Sequence, residues 1–206
     1  MTRTKPSRAT SAELPDGSAD VQRAALVEAY DNARAANDYS GMATAALALA
    51  DMQMFGTVPG RLPAFLHDAY RHAEGVQRAQ LAIAIARVWV YGGHPERAEE
   101  FADEALRFAT ELADPTLLAH PYDATLLTRW GPDHLDERLS ITARLEDTVA
   151  HVQDVEVRMS AYLWRLTTAL ECLDLPTMRR QLRALEHLAE ETDEPRVRFF
   201  AASRRA

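Results

Sequence analysis

The chain has 206 residues and a formal charge of −8, with 23 Lys and Arg against 31 Asp and Glu. That balance argues against a protein that coats nucleic acid or an anionic membrane. Hydrophobic residues at 47% and charged residues at 26% fit an ordinary globular chain, long enough for one core or an extended stack. No internal disulfide or Cys-rich zinc site is possible with the single cysteine, Cys172. Its neighbours Leu170 and Leu173 place it on an expected helix as a small buried thiol. The first residues carry no apolar leader, and the longest apolar run, Leu81–Val90, contains Arg87 and is too short for a bilayer. A cytoplasmic chain with no membrane contact is expected.

In chain order, residues 1–18 read as a disordered tail rich in Ser, Thr, Pro and charge, and 19–206 as a single helical domain. Helix one runs to about Ala36. Helix two follows from Gly41 to about Phe55, with Ser40 as its N-cap. Helix three spans about Leu62 to Glu74, and Gly75 ends it. Helix four is apolar almost all the way round, as for a helix sandwiched between neighbours. Gly92-Gly93 stops it and His94-Pro95 restarts the chain as helix five. Asp114-Pro115 opens helix six, which Pro121 should kink or shorten. Helices seven, eight and nine begin near Asp133, Val155 and Leu175, and Glu194-Pro195 opens a last, short helix. No segment alternates at period two, so the class is all-α.

An internal repeat sets the expected architecture. Ala98, Ala102, Ala105 and Ala109 form a small-residue stripe on helix five. Leu62, Leu66, Ala69 and Ala73 match it on helix three; Leu135, Leu139, Thr142 and Glu146 on helix seven; Met178, Leu182, Leu185 and Ala189 on helix nine. The spacing predicts a tetratricopeptide-like solenoid of about four helical hairpins plus flanking helices, each hairpin buried only against its neighbours. Ala98 and Ala105 are expected to be buried between helices.

Ala82, Ile85, Ala86, Trp89, Gly93, Ala98 and Ala105 fall where tetratricopeptide repeats alternate large and small packing residues, so the chain resembles that family. Phrases such as GGHPERAEEFADEALRFATELADP, LLTRWGPDHLDERL and YLWRLTTALECLDL look like the helical-repeat arm of actinobacterial signal-transduction ATPase regulators of the LuxR and antibiotic-regulatory types. The resemblance covers roughly residues 20–200. It implies an arm that holds an ATPase in one state until an effector or protein partner biases it toward another. The regulators' other parts are not in this sequence: there is no G-x-x-x-x-G-K-[ST] phosphate loop and no basic helix-turn-helix. Direct nucleic-acid binding is therefore not expected. The chain reads as a fragment or relative of such a regulator, and its uncapped end helices could pair as a homodimer.

Catalytic chemistry has no clear signature. The seven histidines show no metal-ligand spacing, and Ser140 and Ser160 lack a nucleophile elbow, so neither a metal nor another cofactor is expected. Glu96, Glu99 and Glu100, and Asp133, Asp136 and Glu137, sit in first helical turns, where negative charge is favoured without any function. The three tryptophans read as wedges between helices. A polar groove on the first helices is the candidate site. Helix four offers Gln77, Gln80, Arg87 and Tyr91 on one face, and helix six offers His120 and Asp123. Helix eight offers Arg158, Trp164, Arg165 and Thr168. Side by side, these residues suit a peptide carboxylate or an acidic small molecule. The expected function is a non-catalytic module that binds a protein or an effector. A free-standing peptide scaffold and a small helical enzyme using this groove are the alternatives.

Overall fold

The computed structural model describes residues 17–54, 56–112, 115–150 and 152–205. Ten α-helices account for most of them, and no strand occurs among the described residues. The helices are α1 (Gly17–Ala35), α2 (Tyr39–Asp51), α3 (Leu62–His72), α4 (Gly75–Tyr91) and α5 (Glu99–Leu112). They continue as α6 (Pro115–Thr128), α7 (Leu135–Val149), α8 (Val155–Glu171), α9 (Leu175–Thr192) and α10 (Pro195–Arg205). Short 3₁₀ turns, Pro95–Arg97 and Pro132–His134, lead into α5 and α7. The expected tail lies almost wholly outside the described residues, as do the proposed cap Asp114 and the end of helix two at Phe55.

Each helix packs against the next in chain order, and α2, α4, α6 and α8 also touch one another in sequence. The core follows the same order. One cluster joins α1 to α4 around Tyr30, Leu66 and Ile85. Ala86, Ala98, Ala102 and Ala124 join α4, α5 and α6. Leu126, Leu145 and Trp164 join α6, α7 and α8. Met159, Leu185 and Val197 join α8, α9 and α10. The alanine stripe is buried at all four positions, Ala98 just before α5 and Ala102, Ala105 and Ala109 on it.

The turns are built from the backbone outward. Asn37, Gly93 and Leu173 adopt positive φ at helix ends, and the next N–H bonds a carbonyl five residues back: Asp38 to Ala33, His94 to Trp89, Asp174 to Ala169, each at 2.8 Å. This is the geometry that satisfies the last orphan carbonyls of a helix. The α2 cap is Asp38, whose carboxylate accepts from Gly41 N, where Ser40 was expected. The cap therefore lies two residues earlier, directly after the left-handed Asn37. Asp174 likewise caps α9 by accepting from Thr177 N, and hydrogen bonding from Thr177, first by its side chain and then by its backbone, holds the carboxyl below the ordinary range. Leu173 and Cys172 are consequently exposed at the turn, and the thiol is not buried as its neighbours suggested. Pro121 does not interrupt α6. Gly75 begins α4, although its positive φ of 54° makes it the break that the sequence marks.

Helix α7 departs from the repeat register. Leu135 and Leu139 are only half-buried, while Arg138, Ile141 and Leu145 turn inward. Glu146 remains half-exposed because it gathers polar groups from two other helices: Arg165 of α8, and Arg180 and Gln181 of α9. Arg138 is 3% exposed and donates to the carbonyls of Arg129 (2.9 Å) and Gly131 and to the carboxylate of Glu171. One joint upstream, the Arg129 guanidinium gathers Glu137 at 2.7 Å, Asp103 at 2.9 Å and Glu99 at 3.7 Å. Glu99 and Glu137, which read as free helix-start charge, therefore tie α5 and α7 to the end of α6.

His67 lies in the joint between α3, α4 and α5. Trp89 Nε1 faces its Nε2 at 3.4 Å, and the Phe101 ring meets it edge-on at 5.0 Å. Burial, reinforced by Arg71, pulls the imidazole below its ordinary pKa of 6.5. A depressed pKa means that the folded state favours the neutral ring. The stabilisation is full above pH 6.5 and is lost as pH falls through the lower folded value. Urea unfolding at pH 7.5 and pH 5 should show a smaller acid-induced loss in His67→Gln than in the parent. Equal losses would place the acid sensitivity elsewhere.

Candidate functional site

The even-numbered helices α4, α6 and α8, with α10, surround a cleft of about 290 Å³. Tyr91 reaches it from the end of α4, which the loop between α2 and α3 braces. The Gly56 N–H bonds the Tyr91 carbonyl at 2.9 Å, and Gly92 sits so close to Pro59 that an added Cβ would meet Pro59 Cδ at 3.1 Å. Arg87 stands one turn back on α4 and donates to Asp51 of α2 at 2.6 Å. Its Nε is buried with no hydrogen-bond partner among the described residues. His120 and Asp123 come from α6, and Ser160 and Trp164 from α8. Arg196 enters from α10, paired at 2.9 Å with Glu156. Leu127, Leu145, Leu163 and Phe200 supply apolar wall.

Asp123 is the centre of the polar network. Its Oδ1 accepts from Ser160 Oγ at 2.5 Å and from Trp164 Nε1 at 2.6 Å, which fixes the indole across the cleft wall. Trp130 meets the Trp164 ring edge-on at 5.0 Å, yet Trp130 itself is half-exposed (52%) and is not the interhelical wedge expected of it. Burial first, and then the Asp123 charge, push the Tyr91 phenol above its ordinary range, with Arg87 and Arg196 opposing. At neutral pH Tyr91 therefore presents an intact O–H.

Five of the ten residues chosen from sequence meet here: Arg87, Tyr91, His120, Asp123 and Trp164. The other five do not. Gln77 lies 3.5 Å from Ser40 Oγ near the start of α2, and Gln80 is exposed. Arg158 turns to Glu191 of α9. Arg165 turns to α7, where it donates to Thr142 Oγ1 at 3.3 Å and its Nε rests 3.4 Å from Glu146 in an ion-pair contact without hydrogen-bond geometry. Thr168 is fully buried against Thr142. All three α8 residues face the odd-numbered helices, because Trp164 and Ser160 occupy the cleft side and the arginines reach carboxylates on the other. Ser160, Glu156, Arg196 and Phe200 were missed. The spacing of Ser160 and Trp164, one turn apart, was the available signal for the first of them.

Among the described residues no group of three or more His, Cys, Asp or Glu is placed to hold a metal ion. No helix there is long and apolar enough to cross a membrane. No protein-family model matches the chain, and neither a curated protein nor a solved structure matches it. What the described residues define is an all-α architecture with a mixed polar and apolar cleft to which α4, α6, α8 and α10 and, through Leu145, α7 contribute.

Proposed function

We propose that the chain is a non-catalytic, tetratricopeptide-like module that binds a small effector in the cleft between α4, α6, α8 and α10. The cleft carries this reading: side chains far apart in sequence converge on a volume near the lower end of the roughly 300–1,000 Å³ usual for small-molecule sites. The contacts among the even-numbered helices support the repeat architecture, since such stacks use one helix of each pair to line a common face. The resemblance to the arm of ATP-dependent transcriptional regulators adds a setting, in which effector occupancy would bias an attached ATPase. Ser160 donates to Asp123 at 2.5 Å in the cleft, a contact that this reading assigns to holding the wall beside Trp164 rather than to activating a nucleophile.

Thermal unfolding in the presence of a small-molecule library tests the reading. A ligand at a hundredfold its Kd stabilises by about 2.7 kcal/mol. For a chain of this size that is a midpoint rise of roughly 5–10 °C. The variant His120→Trp fills the cleft from its exposed rim without disturbing the core. Ligands should raise the parent's midpoint, leave the variant's unchanged, and be recovered chemically intact. Equal stabilisation of both proteins, or no stabilisation by any compound, would overturn the cleft as an effector site.

A further inference from the structure

The charges that line the cleft are arranged for a ligand carrying both signs. Asp123 receives two neutral donors, both on Oδ1, and among the described residues no donor meets its Oδ2 and no cation pairs with it. The cations of the cleft, Arg87 and Arg196, come from the helices on either side of α6 and α8 in chain order. Their present partners are weakly held surface carboxylates: Asp51 is 72% exposed and Glu156 55%. Exposed pairs of this kind contribute little, so a ligand carboxylate can replace either partner at small cost. An anion alone would bring its charge against Asp123 and Glu156, and a cation alone would face the two guanidiniums. The same cleft is lined by Leu127, Leu163, Phe200 and Trp164, a surface for an apolar group.

We propose, resting on the reading of this cleft as a ligand site, that it binds a free α-amino acid with an apolar side chain. The ammonium group sits on Asp123, the carboxylate is taken by Arg196, and the side chain covers the apolar wall. Cleft size limits the ligand to one such residue or little more.

Calorimetric titration of the whole chain at pH 7 tests this with three probes at millimolar concentration: L-phenylalanine, phenethylamine, which lacks the carboxylate, and 3-phenylpropionate, which lacks the amine. L-Phenylalanine should bind most tightly. Asp123→Asn keeps a side-chain oxygen to accept from Ser160 and Trp164 but removes the charge. It should weaken L-phenylalanine roughly tenfold or more and leave 3-phenylpropionate no weaker. Arg196→Gln, at an exposed position that folding tolerates, should weaken L-phenylalanine and 3-phenylpropionate while sparing phenethylamine. The proposal is overturned if 3-phenylpropionate matches L-phenylalanine, if Asp123→Asn binds L-phenylalanine like the parent, or if none of the three probes binds. If the probes fail while other compounds stabilise the parent and not His120→Trp, the amino-acid assignment falls and the effector cleft stands.

Discussion

Arg138→Ala is expected to lower the free energy of unfolding by about 3–5 kcal/mol, the cost of breaking a buried ionic contact from one side. The guanidinium links the end of α6, the turn after it, α7 and the last turn of α8 through Arg129 O, Gly131 O and Glu171. Removing it takes the side-chain donor from the Arg129 carbonyl and the Glu171 carboxylate, while the Gly131 carbonyl keeps the His134 N–H at 3.2 Å. Glu171 keeps 32% of its side chain exposed, so water recovers part of the loss and the lower end of the range applies. A total stability of about 5–15 kcal/mol is typical of a domain, so even 3 kcal/mol is a large share. Urea unfolding of the parent, Arg138→Ala, Glu171→Gln and the double variant completes the cycle. The two single losses should sum to more than the double, by at least about 0.5 kcal/mol. A loss under about 1 kcal/mol for Arg138→Ala would show that the contact holds nothing.

Ala102→Leu is expected to cost about 1–3 kcal/mol by overpacking. Ala102 is fully buried where Ala86 of α4, Ala98 before α5 and Ala124 of α6 meet, with Ile83, Val90 and Phe101 around them. Four alanines at one joint let three helices approach closely, and a leucine there has no space to enter without moving a helix. For a chain of this length the midpoint should fall by roughly 2–4 °C for each kcal/mol. Ala64→Leu, on the exposed side of α3, is the matched control and should stay within about 0.5 kcal/mol of the parent. An unchanged midpoint for Ala102→Leu would mean that the joint is looser than its alanines imply.

The alanine stripe also marks how far sequence could be read. Small apolar residues at i, i+4, i+7 and i+11 suit a close approach between helices, and all four are buried, three on α5 and Ala98 just before it. On α7 the same spacing misled. Leu135 and Leu139 looked like core, while an arginine normally belongs at the surface; Arg138 turns inward because Glu171 and two carbonyls are there to receive it. Such partners come from other helices and leave no trace in local periodicity.

The cleft was legible on α4 and α6, where Arg87 and Tyr91, and His120 and Asp123, lie about a turn apart on one face. On α8 it was legible only at Trp164. Arg158 and Arg165 share one face, since seven residues advance a helix to within roughly 20° of two full turns, but periodicity alone does not say which neighbour that face meets. Arg196 and Phe200 were invisible for another reason. The last helix read only as short, and nothing in its own periodicity places it beside α8, where α10 closes one side of the cleft.

The succession of small cores has a consequence for the chain's synthesis. Each cluster draws on helices adjacent in sequence, from α1–α4 to α8–α10. Short chain separations close at low entropic cost, and contacts of this kind favour rapid folding. A chain emerging from its amino end can bury Tyr30, Leu66 and Ile85 before α6 exists, and each later helix finds its seat already built. At any moment only the newest helix need present an apolar face to the surroundings.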